Sequence, residues 1–171
     1  MRSIFLVTMA ALATLKFSVP ASAYSTDDAQ RCADQLLGAY NEKRYPEGIL
    51  DIPSITSRAF GNGFQTLSAD ELEYVLRLTA LLLRESFENP TGRYRYRNLV
   101  INFTEPANDG NYRVVGSVHI TSPNYTGDGS FMALVRPSCQ IYQVRIKDVA
   151  TLDGQVRQLL RGDYRARELM E

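Results

Sequence analysis

One side chain in this sequence has the intrinsic basicity to exchange a proton near neutral pH: His119, the only histidine among 171 residues. It lies in Val114-Val115-Gly116-Ser117-Val118-His119-Ile120, where residue character alternates, so Ser117 and His119 share one face of an expected strand. A histidine beside a serine suggests acid–base chemistry, but the sequence places no second residue to orient the ring or share its proton. The plainer reading is a solvent-facing strand residue opposite the Val118 core face. Cys32 and Cys139 are the only cysteines. No CxxC or HxxxH spacing occurs, so no metal is expected. The two cysteines either pair or are small buried apolar side chains. Pairing would close a loop of roughly a hundred residues, contributing about 4–5 kcal/mol on a chain-entropy model. The densest basic and aromatic cluster is Arg93-Tyr94-Arg95-Tyr96-Arg97. It suits anionic head groups or a partner surface, and the same interleaving would suit nucleic acid. Otherwise it is a strand entry with Arg outward and Tyr against the sheet edge.

Composition narrows these choices. The length fits about one domain, and 44% hydrophobic residues suffice for a real core. A formal net charge of zero argues against a nucleic-acid partner, which selects a basic footprint. The N-terminus has the pattern of an export signal: Arg2, an apolar run from Ile4 to Leu15, and a small-x-small site at Ala21-Ser22-Ala23. The run is shorter than the roughly 20 residues of a membrane span, and Lys16 interrupts its end. Residues 1–23 are therefore expected to be a cleaved signal peptide and 24–171 a single domain. The mature chain loses Arg2 and Lys16 and carries a net charge of about −2. Export also places the two cysteines in an oxidising compartment.

The elements that must position these residues follow from periodicity. Tyr24 to Lys43 reads as a helix, capped by Ser25 or Thr26, with Ala29, Cys32, Ala33, Leu36, Leu37 and Tyr40 as its apolar stripe. Asp51-Ile52-Pro53 opens a short amphipathic segment carrying Ile52, Ile55 and Phe60, broken by Gly61-Asn62-Gly63. Ser68 and Glu71 form a capping box for a long helix with Leu72, Val75, Leu76, Leu82, Leu83 and Phe87 at helical spacing. Leu78 to Leu83 is apolar nearly all round apart from Thr79, so this turn is expected to be deeply buried or to line a cavity. The period then changes to two. Leu99, Ile101 and Phe103 mark one strand, Asn108-Asp109-Gly110-Asn111 a hairpin, and Val114, Gly116, Val118 and Ile120 a second strand. Asn124 to Gly129 reads as a loop, Phe131 to Val135 as a third strand, and Gln140 to Val149 as a fourth with Tyr142, Val144 and Ile146 on one face. Leu152, Val156, Leu159, Leu160 and Tyr164 give a closing helix, whose charged tail from Arg161 to Glu171 is expected to fray. Helices, then a strand meander, then a helix indicate an α+β fold with an antiparallel sheet of about four strands covered by helices on one side.

Asp51-Ile52-Pro53-Ser54-Ile55, then Gly61, then the Ser68 cap of a long helix together resemble the MlaC family, periplasmic phospholipid-binding components of ABC transport systems, also called toluene-tolerance auxiliary proteins. The resemblance runs from about Ala29 to about Leu169, with Phe64 where the family more often has Trp. It departs at Arg145 to Leu152, where the family has an aspartate and an Asn-Gly or Asp-Gly turn; here Asp153-Gly154 is displaced. The family implies a curved sheet wrapped by helices, related in shape to cystatin- and NTF2-like folds, with an apolar pocket between the layers. It implies a monomeric shuttle that carries phospholipid between membrane-bound transporter complexes as donor and acceptor and maintains outer-membrane lipid asymmetry, without catalysis or cofactor. A hopanoid-associated variant has the same pattern, so a triterpenoid is a further candidate ligand. On this basis the inward apolar positions Ile52, Ile55, Phe60, Phe64, Leu78, Leu82, Val118, Phe131, Ala133, Val135, Tyr142, Val144, Val156 and Leu160 are expected to wall the pocket. Two other classes compete: an enzyme in an NTF2-like cone using His119 or a carboxylate, and an adaptor domain with a filled core. N-terminal sequencing of exported protein should begin at Tyr24; material confined to the cytoplasm with Met1 intact would refute the signal.

Overall fold

The computed structural model describes residues 24–90, 94–146 and 151–170. The signal expected over 1–23 lies outside them, as do Arg93 and the expected strand end from Lys147 to Val149.

Helix α1 spans Thr26–Asn41 and starts where local chemistry demands. Ser25 Oγ accepts from the Asp28 amide at 3.0 Å, and Asp28 reaches back to Ser25. It ends two residues before Lys43, whose φ of 54° cannot continue a right-handed helix. Helix α2, Ile52–Phe60, is capped by Asp51 and stopped at Gly61, where φ is 71°. A 3-10 turn over Gly61–Thr66 leads to α3, Ala69–Glu88, opened by the Ser68–Glu71 capping box. Helix α4 covers Leu152–Gly162 and α5 Tyr164–Met170.

Four antiparallel strands follow in the order β1-β2-β3-β4: Arg95–Pro106, Tyr112–Ser122, Tyr125–Val135 and Ile141–Ile146. The fold is α+β, as the element order implied. On β2 the alternation holds. Val114, Gly116, Val118 and Ile120 are buried under the helices, while Ser117 and His119 face the other side. Phe131, Ala133 and Val135 of β3, Ile55 and Ala59 of α2, Val75 and Leu83 of α3, and Val156 and Leu160 of α4 complete the core.

Five expectations need correction. Leu99, Ile101 and Phe103 do not share a face. Register shifts between Arg97 and Val100 and between Ile101 and Phe103 bury Tyr96 and Ile101 but turn Val100 and Phe103 outward, 54% and 47% exposed. Gly116 permits this, because any Cβ there would collide with the Val100 carbonyl oxygen. The loop expected over Asn124 to Gly129 is strand, since β3 pairs with β2 from Tyr125 onward and only Pro123-Asn124 turn. In β4, a shift beside Val135 brings Ile141 fully inside, although alternation put it opposite Tyr142. The turn Leu78 to Leu83 is not wrapped on all sides: Leu81 is 57% exposed, and the buried stripe is Val75, Thr79, Leu83 and Phe87. The tail does not fray through residue 170. Asp163 Oδ1 accepts from the Ala166 amide at 2.9 Å and from the Tyr74 hydroxyl at 2.8 Å, and Ala166 is fully buried in α5.

Four links join helices to sheet. Gln30 of α1 donates to Leu99 O at 2.9 Å and accepts from the Ile101 amide at 2.8 Å. Asn41 does the same for Tyr96, at 2.6 and 3.0 Å. Cys32 of α1 and Cys139 in the β3–β4 turn form a disulfide, with Cα atoms 5.5 Å apart. The fourth link is Asp51. Its carboxylate caps α2 through the Ser54 amide at 3.1 Å and accepts from the Ser54 hydroxyl at 2.7 Å and from Arg136 Nε at 2.6 Å. Burial alone would raise its pKa, but the Ser54 and Arg136 hydrogen bonds outweigh it and hold the carboxyl below the ordinary 3.8. A depressed folded pKa stabilises above the unfolded value, and that stability is lost as pH falls through the folded one. Asp51→Ala should therefore lower unfolding free energy by about 2 kcal/mol at neutral pH, and the gap to wild type should narrow as pH falls below about 4. Urea unfolding across that range checks it; a gap independent of pH would refute the ionic contribution.

Candidate functional site

The helices do not settle flush on the sheet everywhere. Between α1, α3, α4 and the β1 and β4 strands lies a cavity of about 830 Å³. α1 contributes Leu36, Leu37 and Tyr40 to its wall, and α3 contributes Leu82, Leu83 and Phe87. Tyr96, Val144 and Ile146 come from the sheet, and Leu152, Val156 and Leu159 from α4. These sequences turn the residues inward for ordinary reasons. Leu36 and Tyr40 are i and i+4 on the α1 stripe, and Leu152, Val156 and Leu159 recur at i, i+4 and i+7 on α4. The lining residues exposed to solvent, Glu85, Asn89, Tyr94, Gln155, Gln158 and Leu159 among them, mark the mouth. The cavity thus has an apolar interior and a mainly polar entrance.

Its electrostatics suit an uncharged occupant. Tyr40 stacks edge-on against Phe87 at 5.9 Å and tilts against Tyr96 at 5.3 Å. Burial pushes the Tyr96 phenol well up from its ordinary value, and burial followed by Tyr94 does the same for Tyr40. Both phenols are neutral at physiological pH. Glu85, at the mouth, is the one carboxylate in the described lining. Among the described residues no group of His, Cys, Asp and Glu is arranged to hold a metal ion, and no helix is long and apolar enough to cross a membrane.

The expected wall residues distribute over several environments. Leu82, Val144 and Val156 line the cavity. Ile55, Val118, Phe131, Ala133, Val135 and Leu160 are buried in close-packed core. Ile52, Phe64, Leu78 and Tyr142 are half-buried against that core. Phe60 borders a separate cleft on the other side of α4. The residues that sequence reasoning left out are Leu36, Leu37 and Tyr40 of α1, Leu83 and Phe87 of α3, Tyr96, Ile146, Leu152 and Leu159. Most lay on stripes that periodicity had turned inward, so the signal for burial was present and the signal for empty space was not.

His119 has the partner that the sequence did not reveal. Its Nδ1 lies 2.8 Å from Asp128 Oδ1, directly across from it on β3. Asp128 fell within the expected loop, which hid the pairing. Both sit on the sheet face turned away from the helices, so neither reaches the cavity. In the Arg93–Arg97 cluster, Tyr96 points into the cavity and Tyr94 lies at its mouth, while Arg95 and Arg97 are exposed.

No family model matches the chain. No curated protein matches it either. Among solved structures, the chain is similar to the phospholipid-binding protein from Ralstonia solanacearum, determined in complex with a phospholipid. The two share 11% identity with a TM-score of 0.44, over 84% of this chain and 89% of that one.

A charge placed on the cavity wall must lose its hydration when an apolar molecule enters. Leu82→Glu should lower the affinity for an apolar fluorescent probe such as N-phenylnaphthylamine by about tenfold or more, with the melting midpoint shifted by only a few degrees. A variant that no longer folds would mark Leu82 as close-packed core, and undiminished uptake would show that the probe binds elsewhere.

Proposed function

We propose that this chain is a periplasmic carrier of phospholipid, a divergent relative of the MlaC family, that binds its ligand as a monomer without chemically changing it. The apolar cavity with a polar mouth carries this reading. Each CH₂ of an acyl chain costs about 0.8 kcal/mol to expose to water. A carrier must hide those chains while the head group stays wet, and Glu85, Asn89, Gln155 and Gln158 at the mouth suit a polar group there. Phospholipid is also what the Ralstonia solanacearum protein holds, but at so low a likeness the cavity, and not the neighbour, supports the assignment. Residues 1–23 would direct export and be removed. Donor and acceptor would be membrane-bound complexes of an ABC transport system that preserves outer-membrane lipid asymmetry. A hopanoid would satisfy the same wall.

The His119–Asp128 pair favours one other reading, an acid–base enzyme of the NTF2-like kind. Against it, the pair lies on the sheet face turned away from the helices and does not line the apolar cavity.

Native mass spectrometry of the mature protein, followed by organic extraction, should find one or more phospholipids bound in the folded monomer. His119→Ala should leave that load unchanged to within a few-fold. Protein that purifies empty and fails to take up lipid from vesicles would overturn the carrier reading, and loss of a measurable turnover in His119→Ala would establish the enzyme instead.

A further inference from the structure

α4 has a second face. Arg157 and Arg161 lie one helical turn apart on the side away from the cavity, and with Arg167 of α5 they line a cleft of about 530 Å³. Phe60, Asn62 and Met170 form other parts of its wall. Arg157 is fixed in place: its Nε donates to Ala59 O at 2.7 Å and its Nη2 to Arg58 O at 2.9 Å. Arg167 lies over the Tyr164 ring at 5.5 Å. Arg31, Arg84, Arg113 and Arg136 each face a carboxylate. Among the described residues, none of the three cleft arginines is paired with one. Like charges gathered on a concave surface repel one another and focus a positive potential there. An anion entering the cleft relieves both effects.

We propose that this cleft binds a phosphoryl group, in a phosphate ester with a small apolar substituent. Guanidinium forks match phosphate oxygens two at a time. A carboxylate has only two oxygens to offer three guanidiniums, while a phosphoryl group offers more. Phe60 and Met170 supply apolar surface beside the charges, suited to the carbon part of such an ester. The ester is either a free molecule or a lipid head group at a membrane surface. Neither source depends on the carrier reading, because α4 stands between this cleft and the cavity.

Arg161 and Arg167 are exposed, so replacing both with Gln leaves the packed interior untouched. The mature protein and its Arg161→Gln/Arg167→Gln variant would be titrated with butyl phosphate, with butanol as control. Both would also be floated with phosphatidylcholine vesicles with and without phosphatidylglycerol. Wild type should bind the ester or the anionic vesicles, more weakly as salt rises from roughly 50 to roughly 300 mM. The variant should bind at least about tenfold more weakly, with the same melting midpoint and the same lipid load in the cavity. Saturable binding of butyl phosphate identifies a free ester, and binding to anionic vesicles alone identifies a head group; each supports the site. Binding of neither probe, or equal binding by the variant, overturns it.

Discussion

The carboxylate of Asp51 ties three pieces of chain together at one junction. It caps α2, accepts from Arg136 just after β3, and sits beside the short parallel bridge between Leu50 and Ile141 that fastens the α1–α2 connection to β4. Two backbone hydrogen bonds complete the junction, Ile141 N to Ile49 O at 2.7 Å and Asp51 N to Ile141 O at 3.0 Å. A few residues away, the Cys32–Cys139 disulfide anchors α1 to the same turn. Helices and sheet are thus locked at one end of the molecule, and the space between them is set by where that lock places the elements.

Beside the apolar core, further polar attachments lie at the periphery. Gln30 and Asn41 bind α1 to the rim of β1, and Arg157 binds α4 to the end of α2. Interdigitating apolar side chains draw two elements as close as their atoms allow. Directional bonds at the margins instead fix a separation. That is a physical route to an unfilled apolar volume in a folded protein: the tethers set the spacing and the side chains in the middle, Leu36, Leu82, Val144 and Val156 among them, do not span it.

How much of this was legible in the sequence follows from the range of each interaction. The caps at Ser25 and Ser68 involve residues three apart and were readable, as was the alternation along β2; Asp51 was legible only as the opening of a short segment, not as its cap. The β1 bulges were not, because they depend on Gly116 in the next strand, and the inward turn of Ile141 depends on its partners across β3. Asp128 was hidden because glycines on either side of it imitate a loop, although an eleven-residue hairpin partner carries them as strand. For the cavity, periodicity reported which way Leu36 and Tyr40 turn. It has no term for whether anything touches them on arrival, so Leu82, Val144 and Val156 were named alongside residues such as Phe131 that are ordinary core.

β1 is an outer strand of an open sheet, with Val100 and Phe103 exposed on it. Such a strand offers unpaired amides and carbonyls to any neighbour, and apolar side chains make the offer worse. Here Gln30 and Asn41 each engage one amide and one carbonyl along that margin, imitating with side chains the ladder of a missing fifth strand. The two bulges twist the strand further from the flat shape that edge-to-edge association requires. Cover for this edge therefore resides partly in two amide side chains of a helix, far from the strand in sequence.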